Sequence, residues 1–154
     1  MLDYQKPVDL ELEMAKISKK NSSGSSGFGR AIEGLIGGLE YVSETDAPFE
    51  LVSGPRMDEI SVELVRSQFG IGDDVRIEEV PVDEFFKRLT DERDWFGPAE
   101  KKRAERFRKL ADELSDRLSQ LKVFRAGRVR INIYIVGLDS NGQLAGIKTR
   151  AVET

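Results

Sequence analysis

The sequence contains no cysteine and no histidine. Thiol and imidazole chemistry are therefore closed to it, and so is a zinc site built from the usual sulfur and imidazole ligands. The commonest general base is missing too, so catalysis would have to run on carboxylates, lysine, tyrosine or serine. Disulfides are excluded, which suits a reducing, cytoplasmic compartment. No apolar run approaches the roughly 20 residues that a membrane span needs. The opening MLDYQKPVDLELEM lacks the basic-then-apolar order of a signal peptide. A phosphate-binding glycine loop is also absent. GFGR (Gly27 to Arg30) and GLIGG (Gly34 to Gly38) have neither the lysine spacing nor a preceding strand.

What is present fits one domain. The 154 residues are 39% hydrophobic and 34% charged, enough apolar surface for a single core and too much for wholesale disorder. Charge is unevenly spread. Residues 40–100 hold 17 acidic and 6 basic groups, residues 101–154 hold 6 and 13, and residues 1–39 hold 5 of each. The net −11 of the middle stretch attracts basic partners and repels nucleic acid.

Residues 1–27 show no sustained period and end in NSSGSSG, a flexible linker by composition. They read as a tail outside a domain spanning 28–154. Phe28, Ile32, Leu35, Ile36 and Leu39 recur at helical spacing, which predicts a helix over 28–41. Its glycines (Gly34, Gly37 and Gly38) suggest close packing against a neighbour. Ser43 to Gly54 reads as a turn feeding a strand. Asp58 then caps a helix carrying Ile60, Leu64 and Val65 to Phe69, and Val75 to Val80 follows as a strand. Asp83 caps a short helix with Phe85, Phe86 and Leu89, and Thr90 to Gly97 is a polar loop. Pro98 opens a helix whose stripe runs through Phe107, Leu110, Ala111, Leu114, Leu118 and Leu121. Val129 to Val136 alternates with period two, giving a strand with one face in the core. Asn141-Gly142 turns the chain into a returning strand with Ala145, Ile147, Thr149 and Ala151 on one side. The simplest packing is one mainly antiparallel sheet covered by helices, an α/β fold. The pattern does not decide whether helices lie on one face or both.

Asp73-Asp74, Glu78-Glu79 and Asp83-Glu84 read as solvated acidic surface, since spacing alone sets none of them about a substrate. Lys101 to Lys109 reads as the wet side of an amphipathic helix and not as a phosphate contact. Trp95, the only tryptophan, is the type of side chain that is usually buried. Here it lies in a polar loop, where an exposed Trp anchors an interface. Both placements remain open at this point.

Four segments, in order, carry a resemblance. SETDAPFE (Ser43 to Glu50), DWF (Asp94 to Phe96), RFRKLADEL (Arg106 to Leu114) and VRINIYIVGLDSNGQLAGIKTRAVET (Val129 to Thr154) resemble the nuclease A inhibitor family, from about residue 30 to the last residue. The resemblance implies a single-domain α/β/α sandwich of the plant pathogenesis-related-protein-1 type. It implies a protein that is not an enzyme, needs no cofactor of its own, and blocks a metal-dependent DNA/RNA non-specific endonuclease one to one. It also implies no direct contact with nucleic acid or membrane, the magnesium ion belonging to the target. The family's contact residues fall on Glu44, Asp94, Trp95 and Thr154. The residue after Asp-Trp is commonly Tyr in the family and is Phe96 here. The first helix is divergent, and residues 1–27 have no counterpart.

Elementary chemistry gives those positions a role. A nuclease presents a metal ion and arginines to its phosphate, so an inhibitor can offer negative oxygens instead. Glu44 can accept a charge-assisted bond from arginine. Thr154 carries a hydroxyl and an α-carboxylate, hard oxygens suited to magnesium. Asp94 adds an anion, Trp95 apolar area, and the acidic stretch steers association. Composition alone would instead leave Glu44 in an ordinary turn, Asp94 as a helix cap and Thr154 as a frayed end. A module of the same fold with another partner is the alternative function.

Overall fold

The computed structural model describes residues 23–154, and the expected tail therefore lies outside the described residues over positions 1–22. The first helix, α1 (Ser23–Ile36), starts five residues before the expected position and ends five before the expected end. Its buried face is Phe28, Ile32 and Ile36, as the spacing predicts. The stop comes from Gly38, whose φ of 74° a side chain would strain. Leu39 and Tyr41 then enter the core outside the helix. Close packing at the glycines is not found. A Cβ at Gly34 or Gly38 would meet nothing within 4 Å. The carbonyls freed at the helix end are taken by Arg106, which donates to Leu35 O at 2.9 Å and Gly37 O at 2.7 Å.

Two short strands, β1 (Glu40–Tyr41) and β2 (Ala47–Pro48), pair across a turn, and β3 (Glu50–Arg56) follows. Next come α2 (Val62–Gln68), β4 (Ile77–Val80), α3 (Val82–Thr90) and α4 (Pro98–Arg117). The caps differ from expectation. Ser61, not Asp58, caps α2 by accepting from Leu64 N–H at 3.2 Å. Pro81 occupies the cap position of α3, which leaves Asp83 inside the first turn, where its charge still suits the helix dipole. Gly97 begins α4, its N–H held at 2.9 Å by Glu100.

The stripe of α4 does not run on to Leu121. The helix ends at Arg117, and β5 (Ser119–Ala126) begins almost at once. Leu118 is buried after the helix end, and Leu121 is half-buried within the strand. The chain closes with β6 (Arg130–Leu138) and β7 (Gln143–Val152), a hairpin in register from Leu138↔Leu144 to Arg130↔Val152. Asp139 Oδ1 accepts the N–H groups of Asn141 at 2.8 Å and Gln143 at 3.0 Å, and Gly142 sits at φ 77°, as an Asn-Gly turn requires.

The large sheet has the order β3-β7-β6-β5-β4, every pair antiparallel. Helices α1, α3 and α4 cover one face over Val123, Ile131, Ile133, Ile135 and Ile147. On the other face α2 and its flanks bury Phe124, Tyr134, Val136 and Leu138 beneath Ile60 and Val65. Strand β6 is therefore buried on both sides, not on one as its alternation suggests, and the fold is a three-layer α/β/α arrangement. Among the described residues no helix is long and apolar enough to cross a membrane.

Candidate functional site

An aromatic chain under the helical face fixes the turn between β1 and β2. Tyr41, just before that turn, stacks on Phe85 of α3 at 5.9 Å and 4°. It also meets Phe49, just after the turn, edge-on at 6.4 Å, and Phe49 meets Phe107 of α4 at 5.8 Å. Buried aromatic pairs of this geometry are individually worth about 1 kcal/mol beyond their area. They tie Val42–Asp46 to α3 and α4.

The end of β7 runs beside this turn and is held at successive residues. Ser43 Oγ accepts Val152 N–H at 3.1 Å and Thr45 N–H at 3.3 Å, and donates its proton to Thr45 O at 2.7 Å. Glu44 N–H reaches Val152 O at 3.2 Å. Glu153 N–H donates to Val129 O at 2.9 Å, while its carboxylate pairs with Arg125 at 2.6 Å. Arg125 is itself only 15% exposed, while its partner Glu153 is 45% exposed. Thr154 then donates twice to one atom. Its N–H and its hydroxyl both reach Glu44 Oε2 at 2.8 Å. Further along β7, the buried Thr149 hydroxyl donates to Pro48 O at 2.8 Å, which stitches β2 to the same strand.

Glu44 and Thr154, 110 residues apart in sequence, are thus in direct contact, and both are exposed. The Thr154 N–H and, secondarily, its hydroxyl stabilise the Glu44 carboxylate and hold its pKa below the ordinary value of 4.5. Beside them lies a cleft of about 400 Å³ lined by Val42, Ser43, Glu44, Arg88, Leu89 and Glu153 among others. Its far wall belongs to α3, whose C-terminus feeds the loop of Asp91 to Gly97.

That loop carries the other two predicted residues. Lys87 pairs with Asp91 at 3.1 Å, and Arg108 donates to Thr90 O at 3.0 Å and Glu92 at 3.2 Å, which pins the loop at its start. A turn from Arg93 O to Phe96 N–H, 3.0 Å, throws the residues between them outward. Trp95 is 71% exposed and rests edge-on against Phe96, ring centres 4.8 Å apart. The alternative of a buried Trp is thereby excluded. Asp94 is exposed as well and does not cap α4, because Gly97 and Glu100 do. The four residues therefore form two pairs, Glu44 with Thr154 and Asp94 with Trp95, on segments joined by α3.

Sequence reasoning missed Ser43, the hub of the turn, and Arg125, the partner of Glu153. The Ser-x-Thr spacing at 43–45 is a weak signal for a side-chain-to-backbone turn. Arg125 carries no such signal, since its partner is 28 residues away. No curated protein matches the chain. A family model described as nuclease A inhibitor-like protein matches residues 28–154.

Proposed function

The chain belongs to the nuclease A inhibitor-like family, and on that premise we propose that it blocks a metal-dependent DNA/RNA non-specific endonuclease by filling its active site, one inhibitor to one enzyme. Family membership implies a nuclease as partner and suggests a protein without catalysis of its own. In the proposed complex the enzyme supplies the magnesium ion, and both proteins occupy the cytoplasm.

Anionic and neutral oxygens take the place of the nucleic-acid phosphate. Glu44 meets an arginine of the enzyme, and charge assistance makes that bond about twice as strong as a neutral one. Thr154 turns its oxygens toward the metal, directly or through water. Asp94 contributes a further negative charge. Trp95 fills an apolar recess and excludes water from the charged contacts, the usual office of an aromatic anchor. The observation that carries the proposal is the Glu44–Thr154 contact, which sets two oxygen-bearing groups side by side on an exposed edge.

A nuclease-protection titration tests it. The purified protein is expected to protect DNA and RNA stoichiometrically from such an endonuclease. Trp95→Ala should weaken inhibition by roughly 30-fold, corresponding to about 2 kcal/mol for a pocketed anchor. Residues appended after Thr154 should also weaken it sharply. Full inhibition by the extended protein would remove Thr154 from the metal site. Failure to protect against any such nuclease would favour a binding module of the same fold with a different partner.

A further inference from the structure

We infer that the Ser43–Glu44 turn is a latch that holds Thr154 in its presenting position before any partner arrives, with Ser43 and Glu44 as positioning residues. For its consequence, though not its existence, the latch rests on the inhibitor proposal.

The last residues of a domain are poorly ordered unless tied down. Here three consecutive residues are tied by different devices: Val152 by the Ser43 hydroxyl, Glu153 by Val129 O and Arg125, and Thr154 by the Glu44 carboxylate. The turn that does the tying is itself anchored through Tyr41 and Phe49 into the core. Side-chain freedom at Thr154 is therefore spent during folding and not on binding, which is how preorganisation raises affinity.

The division of atoms matters. Both Thr154 donors converge on Glu44 Oε2, and among the described residues Oε1 accepts no hydrogen bond. An arriving guanidinium meets a carboxylate with one oxygen already engaged. It is taken by Oε1 through a single N–H, and a fork across both oxygens would have to displace Thr154. The Thr154 hydroxyl proton points at Glu44, so its remaining lone pairs are the ones offered outward. One residue thus contacts the partner and aims its neighbour.

Amide hydrogen exchange by NMR on the free full-length chain tests the latch without any nuclease. The Thr154 amide is expected to exchange well below the rate of an unstructured peptide. Glu44→Ala should bring it to that rate, and Glu44→Gln, whose carbonyl still accepts, should keep most of the protection. Ser43→Ala should expose the Val152 amide and weaken inhibition roughly three- to tenfold, the scale of one lost preorganised side chain. A wild-type Thr154 amide exchanging at the peptide rate, or one indifferent to Glu44→Ala, overturns the latch even if inhibition is intact. A protected Thr154 in a protein that inhibits no nuclease leaves the latch standing and overturns the inhibitor proposal instead.

Discussion

At the scale of single residues, Glu44 is the group whose ionisation can be followed. Its carboxylate is stabilised first by the Thr154 backbone N–H and second by the Thr154 hydroxyl, so its folded pKa lies below the ordinary 4.5. A depressed carboxyl pKa means that the charged form is the one the fold favours. The contact is accordingly complete above the ordinary value and is lost as pH falls through the lowered one. A carbon-detected NMR titration of the Glu44 carboxyl should give a midpoint below 4.5. In Thr154→Ala the hydroxyl is gone and the larger backbone contribution remains, so the midpoint should rise only part of the way back. An unshifted wild-type midpoint would contradict the geometry. Arg88 and Glu153 line the same cleft, and the Glu153 carboxylate is already paired with Arg125.

At the scale of elements, α1 is the weakest by composition and depends on a contact from elsewhere. Four of its fourteen residues are glycine, and each such glycine costs about 1 kcal/mol relative to alanine. Arg106 of α4 compensates at the far end by donating to Leu35 O and Gly37 O. Arg106→Ala removes a charged donor from carbonyls that have no helical partner, and should cost about 1–3 kcal/mol in urea unfolding, with α1 amides losing exchange protection first. An unchanged midpoint would show that water serves those carbonyls equally well. By contrast, Leu110→Ala and Leu114→Ala empty fully buried positions under the sheet and should each cost about 2–5 kcal/mol. Much of this layout was legible beforehand. The stripe of α4 and the Asn-Gly hairpin follow from periodicity and turn chemistry, which are local. Strand β5 was not legible, because Leu118 and Leu121 continue the helical spacing of α4 while Ser119 to Ala126 is committed to the sheet by β4 and β6. Nor did the alternation of β6 disclose its second buried face, which exists because α2 packs there. At the site, Trp95 on its loop was anticipated as one of two outcomes. The Glu44–Thr154 contact was not, since it joins residues 110 positions apart through a tertiary arrangement that no local pattern encodes.

At the scale of the whole molecule, charge is segregated along the sequence. The net −11 of residues 40–100 includes the turn at Val42–Asp46, the rim of the cleft at Glu44, and the loop bearing Asp94 and Trp95. Cations concentrate instead on the exposed side of α4, at Lys101, Lys102, Arg103, Arg108 and Lys109. In the proposed complex a nuclease pocket that attracts phosphate is positive and meets this negative stretch, so the long-range field acts mainly on encounter. Association with the endonuclease should therefore slow by about tenfold or more between low and high salt, with dissociation changing far less. Neutralising remote acids, for example Asp73→Asn with Asp74→Asn, should reduce the association rate and flatten its salt dependence while leaving the dissociation rate near wild type. Stopped-flow binding at several ionic strengths separates the two. An association rate indifferent to salt would mean that the acidic stretch is solvated surface alone, and would leave recognition to the contacts proposed for Glu44, Asp94, Trp95 and Thr154.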